Sequence, residues 1–328
     1  MTTNLLCRCQ GLIDCDDVLA SSEAFTGRCD NKWENLKALI RPTQIDVGYS
    51  WVEHKLQTQF DNDDDAQDEL EDAIPAVLGP SGGEATAIFI IDRHHTLCAL
   101  DKSGRDSLEV TIDVVCDWRE ASDFWDRMEA ADWVYLLSRD SPDALPTVRT
   151  TSDLPSRFSF TDEDVVFVDD RWRALASFSR KYEGSCGDYD DYCERCFIRL
   201  CDTDGSSIPY FEFEWGYFFN VALSNATLWP TLGDQSAFQA AYDAIDDDND
   251  LGDWQTAADA LIPLCRGDAA ATYVLPASLG SGSLKGYVHG DTPLADDPDC
   301  ADPLCPTYEP TYKPTLLLRE PRNAAASS

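Results

Sequence analysis

Positive charge is what this chain has least of for its size. Its 25 Lys and Arg face 61 Asp and Glu, a formal net charge of −36. Nonspecific nucleic-acid binding draws on Lys and Arg displacing condensed counterions, so this acidity disfavours a DNA-partitioning role or a polynucleotide partner. It leaves room for a nucleotide or other small phosphate-containing molecule, because a few local cations override the global field at short range. Any apolar segment long enough to span a bilayer is missing, and so is a basic region followed by an apolar run of signal-peptide length. The expectation is a cytoplasmic protein with mostly free thiols and no membrane partner; the alternative is a secreted protein whose leader is absent.

Paired zinc-module spacing is absent too. The 13 cysteines cluster as Cys7, Cys9, Cys15 and Cys29, then Cys186, Cys193, Cys196 and Cys201, then Cys300 and Cys305, with others scattered. Cys7-x-Cys9 with Cys15 does not match common zinc modules, and the single CxxC at Cys193 and Cys196 lacks an identifiable fourth ligand. Disulfides or free thiols therefore rank above a metal site. The acidic run that begins Asp61-Asn62-Asp63-Asp64-Asp65 lacks the Gly and terminal Glu of a calcium-binding EF-hand loop. It reads as a solvated linker or helix end.

What is present argues for a folded protein: 9 Trp, 14 Phe and 12 Tyr can fill a substantial core. The chain is organised around Ala87 to Leu100. There an apolar, β-branched run stops at Asp92, then Arg93, His94, His95 and Thr96 precede a pattern at helical spacing. The reading is strand, tight turn, helix, with Asp92 as the N-cap and the two histidines in the first turn, where backbone N–H groups and the helix dipole attract phosphate. A plain capping turn with solvated histidines fits the same residues.

Along the chain, Leu36 to Ile45 reads as a short strand interrupted by Pro42, and Val47 to Phe60 as a helix carrying Glu53 and Lys55. Ile74 to Leu78 and Glu84 to Ile91 form a hairpin around a Gly/Pro/Ser turn, and Gly104 stops the central helix. Leu108 to Val115 alternates like a strand. Phe124, Trp125 and Met128 lie on one face of an aromatic-rich helix, a core stripe rather than a base-stacking platform. A helical pattern runs from about Glu163 or Val168 to Tyr182; Phe211 to Phe219 completes the core, and helices follow at Gln235 to Ile245 and Trp254 to Leu264. The organisation reads as a cysteine-bearing extension (1–34), a core (35–136), a mostly helical part (137–265) and a Pro/Gly/Ser-rich tail, extended and mobile (266–328).

Several pieces in order resemble the ParB-like putative nuclease family, an outlying branch of the ParB/sulfiredoxin superfamily. They are Arg41-Pro42-Thr43-Gln44 with Val47-Gly48, then Val52-Glu53-His54-Lys55, Ile91-Asp92-Arg93-His94-His95, Asp117-Trp118 with Phe124-Trp125 and Met128, Trp133-Val134-Tyr135-Leu136, and Ile208 to Trp215. The resemblance implies an α+β fold: a ParB/sulfiredoxin-like mixed sheet with flanking helices, plus a helical second half. It also implies that the His-His turn lies in the active or nucleotide-binding cleft. Sulfiredoxins carry a reactive cysteine followed by His and Arg where this chain has His94, His95 and Thr96, with Cys98 a turn further on, so that chemistry is not implied. Partition proteins grip phosphates with a Gly-Glu-Arg-Arg turn, for which Arg93 is the nearest replacement.

The division of labour this implies gives Lys55, Arg93 and Thr96 to phosphate binding. His94 or His95 is the general acid or base, Asp92 orients an imidazole, and Glu53 is a further acid or base. A divalent metal on Asp92 or Glu53 is compatible with such chemistry, although the sequence offers no recognised ligand set. The expected function is binding of a nucleotide or phosphodiester, with hydrolysis or phosphoryl transfer as the activity such a site would support. Two other readings stand beside it: a noncatalytic nucleotide-responsive or protein-interaction module, and a cysteine-based redox protein.

Overall fold

A computed structural model describes residues 13–15, 25–80, 86–141, 144–161, 167–179, 210–245, 251–265, 268–276 and 282–283. Its centre is a six-stranded mixed sheet. In chain order its strands are β1 (Ile13–Asp14), β2 (Gly27–Lys32), β3 (Ile40–Pro42), β5 (Ile74–Pro80), β6 (Thr86–Ile90) and β7 (Glu109–Asp117). A short strand β4 (Asp46–Val47) lies outside this sheet and pairs in parallel with β8 (Val168–Asp169). The spatial order of the sheet is β1-β2-β7-β5-β6-β3, with β5 antiparallel to β6 and β3 parallel to it. Pro42 closes β3 at the sheet edge, where its missing N–H breaks no inner ladder.

Alternation along β5 and β6 gives the sheet two apolar faces. Ala76, Leu78, Ile88 and Ile90 point into one cluster, together with Val52 of α1 (Tyr49–Thr58), Ala66 and Leu70 of α2 (Asp63–Leu70), and Leu97 and Leu100 of α3 (His94–Ser103). Val77, Ala87, Phe89 and Ile91 point the other way, against Phe124 and Met128 of α4 (Phe124–Ala130) and against Trp133. Behind α1 lies the helical half: α5 (Arg171–Ser179), α6 (Phe211–Ser224), α7 (Leu232–Ala244) and α8 (Leu251–Ala260). Trp51 of α1 belongs to its apolar cluster with Trp172, Trp215, Phe238 and Trp254, so sheet and helical half share α1 as a common wall. The expected α+β class, a mixed sheet with flanking helices and a helical second half, is the observed architecture.

Several local expectations are corrected. Of the two readings of the acidic run, the helix end is the observed one and the linker is not: the Asn62 side chain caps the N–H of Asp65 at 2.9 Å, and Asp63, Asp64 and Asp65 sit at the start of α2, the positive end of the dipole. The helix after residue 163 begins only at Arg171, behind β8. Part of the expected tail is built into the core: Asp268–Thr272 is helical, and Ala270 and Leu275 are buried in the helical cluster. Cys15, just past β1, and Cys29 of β2 form a buried disulfide, with Cα atoms 5.0 Å apart. Cys265 is also disulfide-bonded, whereas Cys98 and Cys116 are free thiols. The CxxC of Cys193 and Cys196, Cys201, and the tail from residue 284 onward lie outside the described residues. No helix among the described residues is long and apolar enough to cross a membrane.

Candidate functional site

The parallel neighbours β3 and β6 end side by side, at Pro42 and Ile90. The chain leaving each strand turns directly into a helix. Past β3 it runs through β4 to Gly48, the N-cap of α1; past β6 it runs through Asp92 to Arg93, the N-cap of α3. Helices α5 and α6 begin at the same place. The Tyr49 N–H donates to Asp169 at 2.8 Å, the Asp170 carboxylate accepts the N–H groups of Trp172 and Arg173, and Tyr210, the N-cap of α6, reaches Thr43 Oγ1 at 3.0 Å. Four helix N-termini, with their positive dipole ends, thus gather beyond the carboxyl ends of two strands, the usual place for a ligand crevice in parallel β structure.

Asp92 is not the N-cap of α3. Arg93 takes that position in the left-handed region (φ 63°), and the Asp92 carboxylate accepts the Arg93 N–H at 2.7 Å. This conformation is unfavourable for a residue with a Cβ and is held here by its surroundings. It turns the Arg93 side chain towards α2, where its guanidinium pairs with Glu69 at 3.4 Å and with Asp72.

Three residues named from sequence converge on one atom. Glu69 Oε1 accepts from Lys55 Nζ at 3.0 Å, from Thr96 Oγ1 at 3.0 Å and from the Arg93 guanidinium at 3.4 Å. Lys55 Nζ donates also to Gln59 at 2.6 Å. The Lys55 and Glu69 side chains are only 6% and 13% exposed, so this cluster lies largely out of water.

The histidines point inward from the same turn. His94 and His95 are 2% and 6% exposed. His94 Nε2 accepts the Thr43 N–H at 3.2 Å, and His95 Nε2 accepts the Gly48 N–H at 3.0 Å. Each imidazole therefore tethers the loop that links β3 to α1. Burial pushes the His94 pKa down to about 3; the Asp92 carboxylate opposes this and the Arg173 guanidinium adds to it, so the ring is neutral at ordinary pH. Glu53 is not brought to this place. It pairs with Lys102 near the other end of α3, roughly 10 Å along the helix from His95 at 1.5 Å per residue. No group of three or more His, Cys, Asp or Glu among the described residues could hold a metal ion.

Sequence reading missed Glu69, which looked like one more acid in an acidic run. It also missed a buried polar network under the helix starts. Asp46 accepts from Ser138 Oγ and, at 3.2 Å, from the Arg139 N–H. The Arg139 guanidinium pairs with Asp170 at 3.0 Å, and that of Arg173 pairs with Glu212 at 3.1 Å. The Asn220 amide oxygen, facing its donors, accepts from Arg139 at 3.2 Å and from Trp172 Nε1 at 2.6 Å. Burial drives the Asp46 carboxyl up to about 7 against the lowering effect of these donors. A signal was present: Asp46 stands between Ile45 and Val47, and Arg139 and Asp170 each follow an apolar run with one residue between, close to the feature that singled out Asp92.

No curated protein matches the sequence. Among solved structures, protein Atu1540 from Agrobacterium tumefaciens is similar, at 21% identity over 82% of this chain and 99% of that one, with a TM-score of 0.46. Residues 35–221 match the family model described as "Putative ParB-like nuclease", and they span β3 to most of α6, including every residue of the cluster around Glu69. With more than half of its length inside that model, the chain belongs to the putative ParB-like nuclease family.

Proposed function

We propose that this family member is a binding module for a small phosphate-containing ligand, held by Lys55, Arg93 and Thr96 at the start of α3. The observation that carries the reading is the convergence of an ammonium, a guanidinium and a hydroxyl on one carboxylate oxygen, Glu69 Oε1. A carboxylate oxygen offers two lone-pair directions, so three donors are more than it can satisfy with good geometry. A phosphoryl group presents three strong acceptor oxygens and matches the donor count. The net charge of −36 favours a small ligand over a polynucleotide.

Binding without turnover is the form of the proposal that the histidines support. A ring whose Nε2 already accepts a main-chain N–H cannot take a proton there unless it gives up that bond, and a pKa of about 3 makes His94 a poor base near neutrality. Hydrolysis or phosphoryl transfer with His94 or His95 as acid or base and Asp92 beside them is the second reading; the electrostatic pull of Asp92 on His94 favours it.

Thermal shift of the full chain against inorganic phosphate and 5′-mononucleotides separates these readings. The binding reading expects a shift in the wild type that Lys55→Ala and Thr96→Val diminish, and no turnover of a chromogenic phosphodiester. A shift unaffected by both substitutions removes the site. Turnover abolished by His94→Gln or His95→Gln in folded protein establishes the catalytic reading instead.

A further inference from the structure

Glu69 sits in the last turn of α2, and its carboxylate occupies the spot on which three donors from α1 and α3 are trained. Because Lys55 and Glu69 are both largely withdrawn from water, the cradle is poorly tolerant of an empty state: an uncompensated ammonium there is costly. Arg93 is tied to the same helix by a further contact to the Glu69 carbonyl oxygen at 3.3 Å, and just beyond the helix end to the Asp72 carboxylate. The protein thus builds its own anion into a site suited to an external one.

Resting on the phosphate-binding reading above, we infer that Glu69 is a resident anion that a phosphomonoester displaces. The three terminal oxygens of the ligand take the Lys55, Arg93 and Thr96 donors one each, and the carboxylate turns out to solvent. The same competition selects the ligand class. A phosphomonoester carries about −1.5 to −2 charges at neutral pH and three acceptor oxygens, more than the single negative charge it replaces. A phosphodiester carries one charge and two free oxygens, and gains little over the carboxylate already there. The cradle is therefore latent towards diesters and responsive to a terminal phosphoryl group.

Isothermal titration of the full chain with inorganic phosphate, a 5′-mononucleotide and dimethyl phosphate tests this, comparing wild type with Glu69→Gln at constant ionic strength. The isosteric amide keeps the side chain in place but removes the competing charge, so phosphate and the mononucleotide are expected to bind at least about tenfold tighter, a free-energy gain within reach of one removed charge. Equal or weaker binding in Glu69→Gln overturns the inference and leaves the phosphate-binding reading standing. No binding in either protein overturns both. Dimethyl phosphate binding to the wild type as tightly as the mononucleotide overturns the ligand class. If Glu69→Gln folds poorly, Glu69→Asp, one methylene shorter, is expected to show a larger phosphate-induced rise in Tm than the wild type; an equal rise overturns the displacement.

Discussion

Asp46 makes the stability of this protein depend on pH in an unusual direction for a carboxylate. It is 1% exposed in β4, accepts hydrogen bonds from Ser138 and the Arg139 N–H, and lies close to Asp170. Burial is the largest influence and, with Asp170, outweighs those donors and the Arg139 charge, raising the carboxyl from 3.8 to about 7. Between those two values the folded protein holds a proton that the unfolded chain has released. Stability therefore falls as pH rises through that window and levels off above the folded pKa. Each unit corresponds to about 1.4 kcal/mol, so the loss between pH 5 and pH 8 is on the order of 3 kcal/mol. For a unit of this size that is on the order of 5–10 °C in Tm.

Asp46→Asn cannot titrate, but its amide sets a donor against Ser138 or Arg139, a cost of about 1–3 kcal/mol at every pH. The informative quantity is thus the difference between the urea-unfolding free energies of wild type and Asp46→Asn at pH 5, 6, 7 and 8, which cancels the background of the other acidic residues. It is expected to move in favour of the variant by roughly 3 kcal/mol across the series, with most of the change below pH 7. Curves that stay parallel would refute the reasoning and place the Asp46 proton elsewhere.

Gly48→Ala would set a Cβ 2.6 Å from the backbone nitrogen of Ala174, in helix backbone that cannot yield cheaply; a loss of about 2 kcal/mol or more is expected in urea unfolding, and an unchanged midpoint would contradict this contact between α1 and α5. Cleaving the Cys15–Cys29 disulfide, which spans 14 residues, is expected to lower stability by about 2–4 kcal/mol; identical melting of oxidised protein and protein shown by mass to be reduced would show that it does not constrain the unfolded chain. His95→Ala leaves the buried Gly48 N–H without its acceptor and opens a cavity, so a loss on the order of 3 kcal/mol is expected, with phosphate binding retained by the folded fraction. Arg93→Gly relieves the positive φ but abolishes the pairs to Glu69 and Asp72; it is expected to weaken phosphate binding while altering stability by less than about 1 kcal/mol.

Local rules made much of this protein legible. Alternation across Ile74 to Leu78 and Ala87 to Ile91 specified a two-faced hairpin, Gly104 stopped α3 in the left-handed conformation that suits glycine, and the stripe of Phe124 and Met128 packed as core. Each depends on neighbours within a few residues, so residue order alone carries it. Lys55, Arg93 and Thr96 were singled out through a family resemblance, and the fold brings them together. Tertiary structure alone decided what they meet and which way the turn faces. Glu69 is indistinguishable from the acids around it until α2, anchored by Ala66 and Leu70, packs its last turn against Lys55 and Arg93. His94 and His95 could equally face water or the interior at the start of a helix. Their burial follows from amides 51 and 47 residues earlier in the chain, at Thr43 and Gly48, which no local pattern places beside them. Sequence periodicity records which face of an element is apolar, whereas the pairing of a buried polar atom is set by whichever distant backbone the packed fold brings within hydrogen-bond reach.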